Sequence, residues 1–235
     1  MAPQLVVGLG NPGARYARNR HNIGWRVLDE VARRHHLAFA PAHGPWAAAG
    51  TPEGGLVLLR PLTYMNLSGE AVAAWSREAG VPVTGVPATD APDAPDAPPP
   101  AAGQPGADAP AADGPPAGPA PVRPLVVCDD LALPLGAVRL RARGGSGGQN
   151  GLASVIAQLG GEEFPRLRLG IAPGGEPVPA EHWPDYVLAD FDPEEEDLVA
   201  ETVAHAALAV ACWLDLGAEA AGSRFNRRGP AAPPA

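Results

Sequence analysis

Short apolar runs alternate along the chain with stretches that have one polar and one apolar side. Residues 4–9 (QLVVGL), residues 56–60 (LVLLR) and the run that ends at Cys128 are nearly continuous in apolar residues, which is typical of buried strands. Residues 23–36 instead place their apolar side chains at helical spacing, and Asn22 is the predicted N-cap of this helix. Strands that alternate with helices indicate an α/β protein.

The second half of the chain continues this alternation. The pattern predicts strands over residues 137–142 and 166–171 and helices over residues 67–79, about 151–159 and 193–216, with a short helix after the last. Because buried parallel strands need cover on both sides, we expect one mostly parallel (mixed) central sheet with helices on both faces.

One segment breaks the pattern. Residues 85–124 contain 13 Pro, 12 Ala and 5 Asp in 40 positions, which is too little apolar area to build a packed element. We therefore expect a single domain over residues 1–228, interrupted by a disordered acidic insertion at about 85–123, and a disordered tail over residues 229–235. A long surface insertion is tolerable because the entropic cost of closing a loop grows slowly with its length.

The charge balance is acidic, with a formal net charge of −9. All 17 positive residues are Arg, and they cluster, for example at Arg139, Arg141 and Arg143. The net charge alone argues weakly against a nucleic-acid partner. However, salt limits the reach of a charge to about 8 Å at physiological ionic strength, so an acidic protein can still carry a local basic face.

The composition also argues against several classes of protein. The two cysteines, Cys128 and Cys212, sit in apolar runs, which predicts buried free thiols and no disulfide framework. No His or Cys pair has the spacing of metal ligands, and we expect neither a metal nor a cofactor. The chain shows neither an apolar run of about 18 residues nor a secretory signal, so we expect a cytoplasmic protein without membrane contact.

The first candidate site is the glycine motif Gly8-Leu9-Gly10-Asn11-Pro12-Gly13, which has the GxGxxG spacing of dinucleotide-binding proteins. That fingerprint requires a helix to begin inside the motif, whereas here Pro12 and a polar stretch separate the glycines from the helix. The spacing therefore leaves two interpretations open, a nucleotide site and a tight turn.

Four further positions suggest hydrolytic chemistry. His21 precedes the first helix, and a neutral imidazole is a natural general base when a carboxylate orients it. Asp129 follows an apolar strand, at the end where sites form in open α/β sheets. Asn66 and Asn150 stand at helix entrances, where an amide can fix a peptide group or a water without adding charge. Plain turns and helix caps are the alternative interpretation of each position.

Four sequence blocks, in this order, resemble the bacterial-type peptidyl-tRNA hydrolase family. GLGNPGARYARNRHNIG resembles the family's GLGNPG…Y…TRHN.G pattern, YMNLSG its FMNLSG block, VCDDLALPLG its HDDLDLPLG block and GGSGGQNGL its G.GGHNGL block. The similarity covers residues 4–84 and 122–228. Each block alone is weak, but together they are specific.

The resemblance implies hydrolysis of the ester that joins a peptide to the terminal adenosine of tRNA. It implies that His21 is the catalytic base, that Asp129 supports it, and that Asn11 distinguishes peptidyl-tRNA from aminoacyl-tRNA. The residues that it implies for substrate binding are Tyr16, Tyr64, Met65, Asn66 and Asn150, with Arg139 and Arg141 meeting tRNA phosphate.

The chain departs from the family pattern at five positions. Asn19 replaces Thr, Tyr64 replaces Phe, Cys128 and Gln149 each replace His, and Ala132 replaces Asp. Gln149 keeps hydrogen-bonding capacity but loses a titratable group. None of the five changes removes the expected base, its acid or the asparagines.

Three other functions remain open at this point. One is a nucleotide-binding enzyme that uses Gly8, Gly10 and Gly13, another is a non-catalytic RNA-binding relative, and a third is a hydrolase of small esters. A pure binder has no need of the His21 and Asp129 pattern, which favours the peptidyl-tRNA hydrolase. We expect a monomer, and the interpretation requires that His21 and Asp129 meet in one cleft.

Overall fold

The structure is a computed structural model that describes residues 2–86, 120–174 and 178–229. Its strands are β1 (Gln4–Gly8), β2 (Trp46–Thr51), β3 (Leu56–Pro61), β4 (Leu125–Pro134), β5 (Ala137–Arg141), β6 (Arg166–Ala172) and β7 (Arg227–Arg228). Its α-helices are α1 (Ile23–Arg34), α2 (Ser68–Ala79), α3 (Asn150–Leu159), α4 (Trp183–Leu188) and α5 (Glu196–Phe225).

The strands form one sheet in the order β2-β3-β1-β4-β6-β5-β7. The four central strands β3, β1, β4 and β6 are parallel, whereas β2, β5 and β7 are joined antiparallel at the two sides. The predicted α/β class with a mixed central sheet is confirmed. Because the central strands are parallel, their carboxyl ends meet at one edge of the sheet, which we call the carboxyl edge; the opposite one is the amino edge.

Helices cover both faces of the sheet, as the buried strands predict. In β1 the side chain of Val6 belongs to the core under α1 and α5, while its neighbours Leu5 and Val7 belong to the core under α2 and α3. This alternation follows from the two-residue period of a strand. Buried strands therefore have apolar residues at consecutive positions, which is why the runs in the sequence are continuous.

The long C-terminal helix matches the expected pair of helices. Gly217 has φ 80° and ψ 179°, a non-helical conformation that interrupts α5 and divides it into a long and a short part. By length and composition Pro193–Phe225 is also apolar enough to cross a membrane, since an 18-residue window within it has a mean hydropathy of 1.4. Its residues Val199, Ala206 and Val210 are fully buried in the core, which is the behaviour of a core helix.

Three predictions for local structure differ from what is observed. The strand predicted to end at Cys128 continues to Pro134, because Asp129 and Asp130 keep pairing with β6. Asn22 is the N-cap residue of α1, as predicted, but its side chain makes no cap bond and binds the backbone of Asn11 instead. Strands β2 and β7 and helix α4 are absent from the prediction altogether.

The ends of the predicted insertion are packed. The Gly85 N–H donates to Leu159 O (2.9 Å), and the Val122 N–H donates to Pro82 O (2.7 Å). Structured backbone therefore extends two residues into the predicted insertion on one side and four on the other. The expected disorder of residues 87–119, and of residues 230–235 in the tail, lies outside the described residues.

Candidate active site

The candidate site lies at the carboxyl edge of the sheet, where β4 meets the turn before α1. The Nδ1 atom of His21, in that turn, lies 2.8 Å from Oδ1 of Asp129 on β4. Both residues are buried, with 9% of His21 and 2% of Asp129 exposed. The imidazole and the carboxylate, 108 positions apart in sequence, thus meet as the sequence interpretation requires.

The two atoms lie within hydrogen-bonding distance, but the angle at the Nδ1–H group is poor. Nδ1 of His21 has no well-aligned hydrogen-bond acceptor, although the carboxylate oxygen is within reach. Misaligned contacts of this kind are common in free enzymes and tighten when substrate binds. Since Nδ1 faces the carboxylate, Nε2 is the ring nitrogen left to accept a proton from water.

Two asparagines fix the turn that carries His21. The Asn11 N–H donates to Asn22 Oδ1 (2.8 Å), and Asn22 Nδ2 donates back to Asn11 O (3.0 Å). Asn19 supplies the local cap, since its Oδ1 accepts from the Asn22 N–H (3.1 Å). The side chain of Asn22 therefore joins the loop after β1 to the turn before α1.

Asn11 also reaches the turn that follows β3. Its Oδ1 accepts a hydrogen bond from the Met65 N–H (2.8 Å), so this acceptor is already engaged. Its Nδ2 makes no hydrogen bond within the described residues and remains available as a donor. Asn11 thus offers an N–H group, and no free acceptor of its own amide, to a molecule in the site.

Arg20 anchors the turn that carries His21 to the segment that contains Tyr186 and Glu195. Its Nη2 lies 2.8 Å from Glu195 Oε2, and its guanidinium stacks 4.4 Å from the centre of the Tyr186 ring. The backbone N–H of Arg20 donates to Ala189 O (3.0 Å). Arg20 is therefore a buried structural residue and does not contribute to an exposed basic cluster with Arg15 and Arg18.

Gln149 is a site residue that the sequence interpretation did not include. Its Nε2 lies 3.0 Å from Asp129 Oδ1 and 3.3 Å from Met65 Sδ, and its Oε1 caps α3 by accepting from the Leu152 N–H (2.6 Å). Two signals were present in the sequence: Gln149 directly precedes Asn150, and it occupies a position where the family pattern has another polar residue.

The remaining expected substrate residues divide into buried and exposed groups. Tyr64 (57% exposed), Asn66 and Asn150 are exposed to solvent, and Tyr16 is half-buried with Arg15 stacked on its ring. Met65 is buried instead. A Cβ on Gly151 would lie only 2.4 Å from its Sδ, so Met65 packs tightly against the start of α3.

The two arginines expected to meet phosphate lie exposed on β5. Arg139 is in register with Arg168 on β6, which is in register with Cys128 on β4. Two strand spacings thus put the Cα atoms of Arg139 and Cys128 about 10 Å apart. Arg141 lies further toward the amino edge, opposite Arg166.

Backbone carbonyl groups of the glycine-rich loop before α3 accept hydrogen bonds from two buried arginines. Arg168 contacts Asp130 Oδ2 (3.1 Å), Gly145 O (2.8 Å) and Ser146 O (2.9 Å), and Arg166 also donates to Gly145 O (3.2 Å). Burial lowers the pKa of Arg166 to about 10. Gly147 has a positive φ of 59°, and a Cβ there would approach Arg168 within 2.9 Å, so the close packing of this loop requires glycine.

Cys128 sits beside the site but is unsuited to nucleophilic chemistry. Burial raises the pKa of its thiol to about 12, which keeps it protonated near neutral pH. Both cysteines are free and buried, as predicted. Across residues 2–86, 120–174 and 178–229, no group of three or more His, Cys, Asp or Glu side chains is arranged to hold a metal.

The first two glycines of the GxGxxG motif allow close packing against α1, whereas the third, Gly13, has a positive φ of 107° and open space where a Cβ would lie. A Cβ on Gly8 would lie 2.7 Å from Gly24 O, and one on Gly10 would meet the Trp25 ring at 2.8 Å. A single turn of 3-10 helix (Ala14–Tyr16) follows Gly13, and the first α-helix begins only at Ile23, so the motif does not lead directly into an α-helix. This geometry favours the structural interpretation of the glycines over the nucleotide site.

A concavity of about 430 Å³ lies away from this site, between α1 and α5. Its charged lining is paired within the molecule, for example Glu30 with Arg33 (2.8 Å) and Arg26 with Glu196 (2.7 Å). It contains neither the His21 and Asp129 pair nor the asparagines. We therefore assign the chemistry to the carboxyl edge.

Comparison with known proteins agrees with this geometry. The family model for peptidyl-tRNA hydrolase matches residues 5–87 and 119–232, on both sides of the proline-rich segment. The chain is 40% identical to a peptidyl-tRNA hydrolase of Symbiobacterium thermophilum over 230 residues, covering 95% of this chain and 98% of the relative. It is also 40% identical to one from Chloroflexus aggregans over 224 residues, covering 94% and 98%.

A solved structure has the same fold. The crystal structure of peptidyl-tRNA hydrolase from Acinetobacter baumannii superimposes with a TM-score of 0.70 at 27% identity, and the match covers 97% of each chain. The family match spans both halves of the sheet and includes every residue of the site described above. The chain belongs to the peptidyl-tRNA hydrolase family.

Proposed function

We propose that this protein hydrolyses the ester bond of peptidyl-tRNA and releases free tRNA and peptide, which recycles tRNA from aborted translation. The observation that carries the proposal is the contact of 2.8 Å between His21 Nδ1 and Asp129 Oδ1 in a buried position. Two exposed asparagines, Asn66 and Asn150, directly follow Met65 and Gln149, which contact Asn11 and Asp129, in a chain that belongs to the peptidyl-tRNA hydrolase family.

The reaction follows from the roles of these groups. Asp129 holds the imidazole so that Nε2 of His21 removes a proton from water, and the water oxygen bonds to the ester carbonyl carbon. The ester C–O bond then breaks, and the proton passes from His21 to the ribose oxygen. The products are a peptide with a free carboxyl group and a tRNA with a free terminal hydroxyl.

Asn66 and Asn150 stabilise the charge that develops on the carbonyl oxygen. This role is supported by their exposure and their position, Asn66 in the turn before α2 and Asn150 at the start of α3. One such donor contributes about 2.7–4 kcal/mol to catalysis in a well-ordered site. Tyr64, with its exposed ring, offers an aromatic surface on which a base or an apolar side chain of the substrate can stack.

Asn11 selects substrates with a blocked amino group. Because its Oδ1 is engaged by the Met65 N–H, its free group is the Nδ2 donor. An N-acylated residue presents a carbonyl acceptor to this donor, whereas a free ammonium group presents only donors. The site therefore favours peptidyl-tRNA over aminoacyl-tRNA.

Arg139 and Arg141 bind tRNA phosphate from the exposed surface of β5. Their charge acts locally, because salt screens the acidic remainder of the protein beyond about 8 Å at physiological ionic strength. Binding depends on the shape and backbone of the acceptor stem and 3′ end, with little reading of sequence. We further propose that the enzyme acts as a monomer in the cytoplasm, without a metal.

The decisive experiment measures release of labelled product from N-acetylated aminoacyl-tRNA, with the same aminoacyl-tRNA carrying a free amino group as control. We expect turnover of the blocked substrate only. An absence of turnover would contradict the proposal and favour a non-catalytic RNA-binding role. Equal turnover of N-acetylated aminoacyl-tRNA and of a minimal N-acyl aminoacyl ester that lacks the tRNA body would instead favour a hydrolase of small esters.

A further inference from the structure

The side chain of Gln149 joins Asp129, in the middle of β4, to the start of α3. It is 7% exposed and makes contacts from both ends of its amide. The Oε1 atom caps α3 through the Leu152 N–H (2.6 Å), while Nε2 lies 3.0 Å from Asp129 Oδ1. The cap fixes the orientation of the amide, and the NH₂ group therefore faces the carboxylate.

The oxygen that Gln149 contacts is the same Oδ1 that lies 2.8 Å from His21 Nδ1. Among the described residues, these two side chains supply the donors within hydrogen-bonding distance of the Asp129 carboxylate. Rotation of that carboxylate would break the contact to His21. A second donor on Oδ1 opposes this rotation and keeps the oxygen on the His21 side.

The arginines near Asp129 and Gln149 form ion pairs with other acidic residues. Arg168 pairs with Asp130 (3.1 Å), and Arg20 pairs with Glu195 (2.8 Å) on the far side of the turn. Cys128 remains a neutral thiol, because burial raises its pKa to about 12. Tyr64, which precedes Met65, is exposed to solvent, and neither residues 65–67 nor the first turn of α3 brings a titratable side chain.

An amide differs from the imidazole that the family pattern has at this position. A histidine here would change its charge and its donor pattern near neutral pH, whereas glutamine remains an uncharged donor throughout. We propose that Gln149 is a positioning residue that holds Asp129 toward His21 with a donor that does not titrate. This inference rests on the proposed function.

Two variants separate this role from simple capping of α3. Gln149→Glu keeps an acceptor for the Leu152 N–H but replaces the donor with a second negative charge beside Asp129. Gln149→Asn keeps an excellent N-cap residue, but its side chain is one methylene shorter and does not reach Asp129. Capping alone predicts that both variants keep wild-type kinetics.

We expect kcat for N-acetylated aminoacyl-tRNA to fall about tenfold to a hundredfold in both variants, since misplacement by about 1 Å has effects of this size. KM should stay unchanged, because Gln149 is buried and does not contact tRNA. Only Gln149→Glu should move the acid limb of the kcat/KM profile to higher pH, by about one unit, because the added negative charge favours the protonated imidazole.

The result that overturns the inference is specific. If Gln149→Asn and Gln149→Glu are folded by thermal melting and keep the kcat and pH profile of an active wild type, Gln149 only caps α3. If Gln149→Glu does not fold, the kcat of Gln149→Asn decides alone. A wild-type protein without activity on the blocked substrate overturns the proposed function first, and this inference with it.

Discussion

The two edges of the central sheet are built differently. At the carboxyl edge, buried polar side chains make the contacts: His21 and Gln149 each contact Asp129, and the Asn22 side chain binds the backbone of Asn11. At the amino edge, next to the described ends of the proline-rich segment, the packing uses backbone hydrogen bonds such as Gly85 N–H to Leu159 O, and the buried guanidinium of Arg166 binds backbone carbonyls. The comparison separates an edge made for chemistry from an edge that tolerates an insertion.

The cost of each arrangement explains this division. A buried polar group is costly unless it is paired, so a cluster of them persists only where each member has a partner or a task. Backbone hydrogen bonds carry no such requirement for side-chain identity. Substitutions at the carboxyl edge should therefore have large effects, and changes beyond the amino edge small ones.

The largest effect is expected from His21→Ala. Without the general base, kcat should fall by about a hundredfold to ten-thousandfold. The fold should survive, because the Asn22 and Arg20 contacts that fix the turn do not involve the imidazole. Single-turnover hydrolysis of blocked aminoacyl-tRNA together with circular dichroism measures both, and His43→Ala, which removes an exposed imidazole, is the control. A folded His21→Ala protein with wild-type turnover would remove His21 from this role.

The next effect is on stability. Arg168→Met leaves the carboxylate of Asp130 buried without its cation and releases the carbonyls of Gly145 and Ser146. Breaking one partner of a buried pair costs about 3–5 kcal/mol, which urea unfolding would detect. Arg143→Met is the matched control, since its pair with Glu163 (3.4 Å) lies at the surface and contributes at most about 1 kcal/mol. Equal losses of stability in the two variants would contradict the structural role of Arg168.

Parts of the carboxyl edge could be predicted from the sequence and parts could not. The pairing of His21 with Asp129 was predictable, because strand ends and helix starts meet at one edge of an α/β sheet. The bond from Gln149 to Asp129 was not, because an N-cap glutamine looks the same whether its NH₂ group faces solvent or a carboxylate. The N-cap position of Asn22 was predicted, but its side-chain bonds were not, because the Asn11 backbone, 11 positions earlier, takes the place of the local cap bond.

The elements that were not predicted have physical reasons of the same kind. Strand β2 reads WAAAGT and has few of the β-branched residues that favour strands, so only its pairing with β3 makes it one. Strand β7 has two residues and exists because Arg227 and Arg228 pair with β5. Tertiary contacts decide such elements, and a single sequence does not display them.

A smaller effect should follow removal of the arginines on β5. The double variant Arg139→Ala, Arg141→Ala should raise KM and reduce the slope of log KM against log salt by about one for each phosphate that is no longer bound, with kcat nearly unchanged. Arg33→Ala, Arg34→Ala is the matched control. It removes the same charge from the end of α1, about 18 Å along the helix axis from the turn that carries His21. If both double variants show the same KM and salt slope, tRNA binds on another face.

The smallest effect is expected from the proline-rich segment, whose two ends are anchored toward the amino edge. The Cα atoms of Leu125 and Asp129 are four residue steps apart along β4, or about 13 Å. Replacing residues 88–118 with a short Gly/Ser linker removes five Asp and changes the net charge from −9 to −4. At physiological salt this charge is screened over about 8 Å, so kcat and KM should each stay within about twofold of wild type. A tenfold change in kcat would link the amino edge to catalysis and end the separation of the two edges, whereas a KM that falls only at low salt would reflect the removal of acidic repulsion toward tRNA.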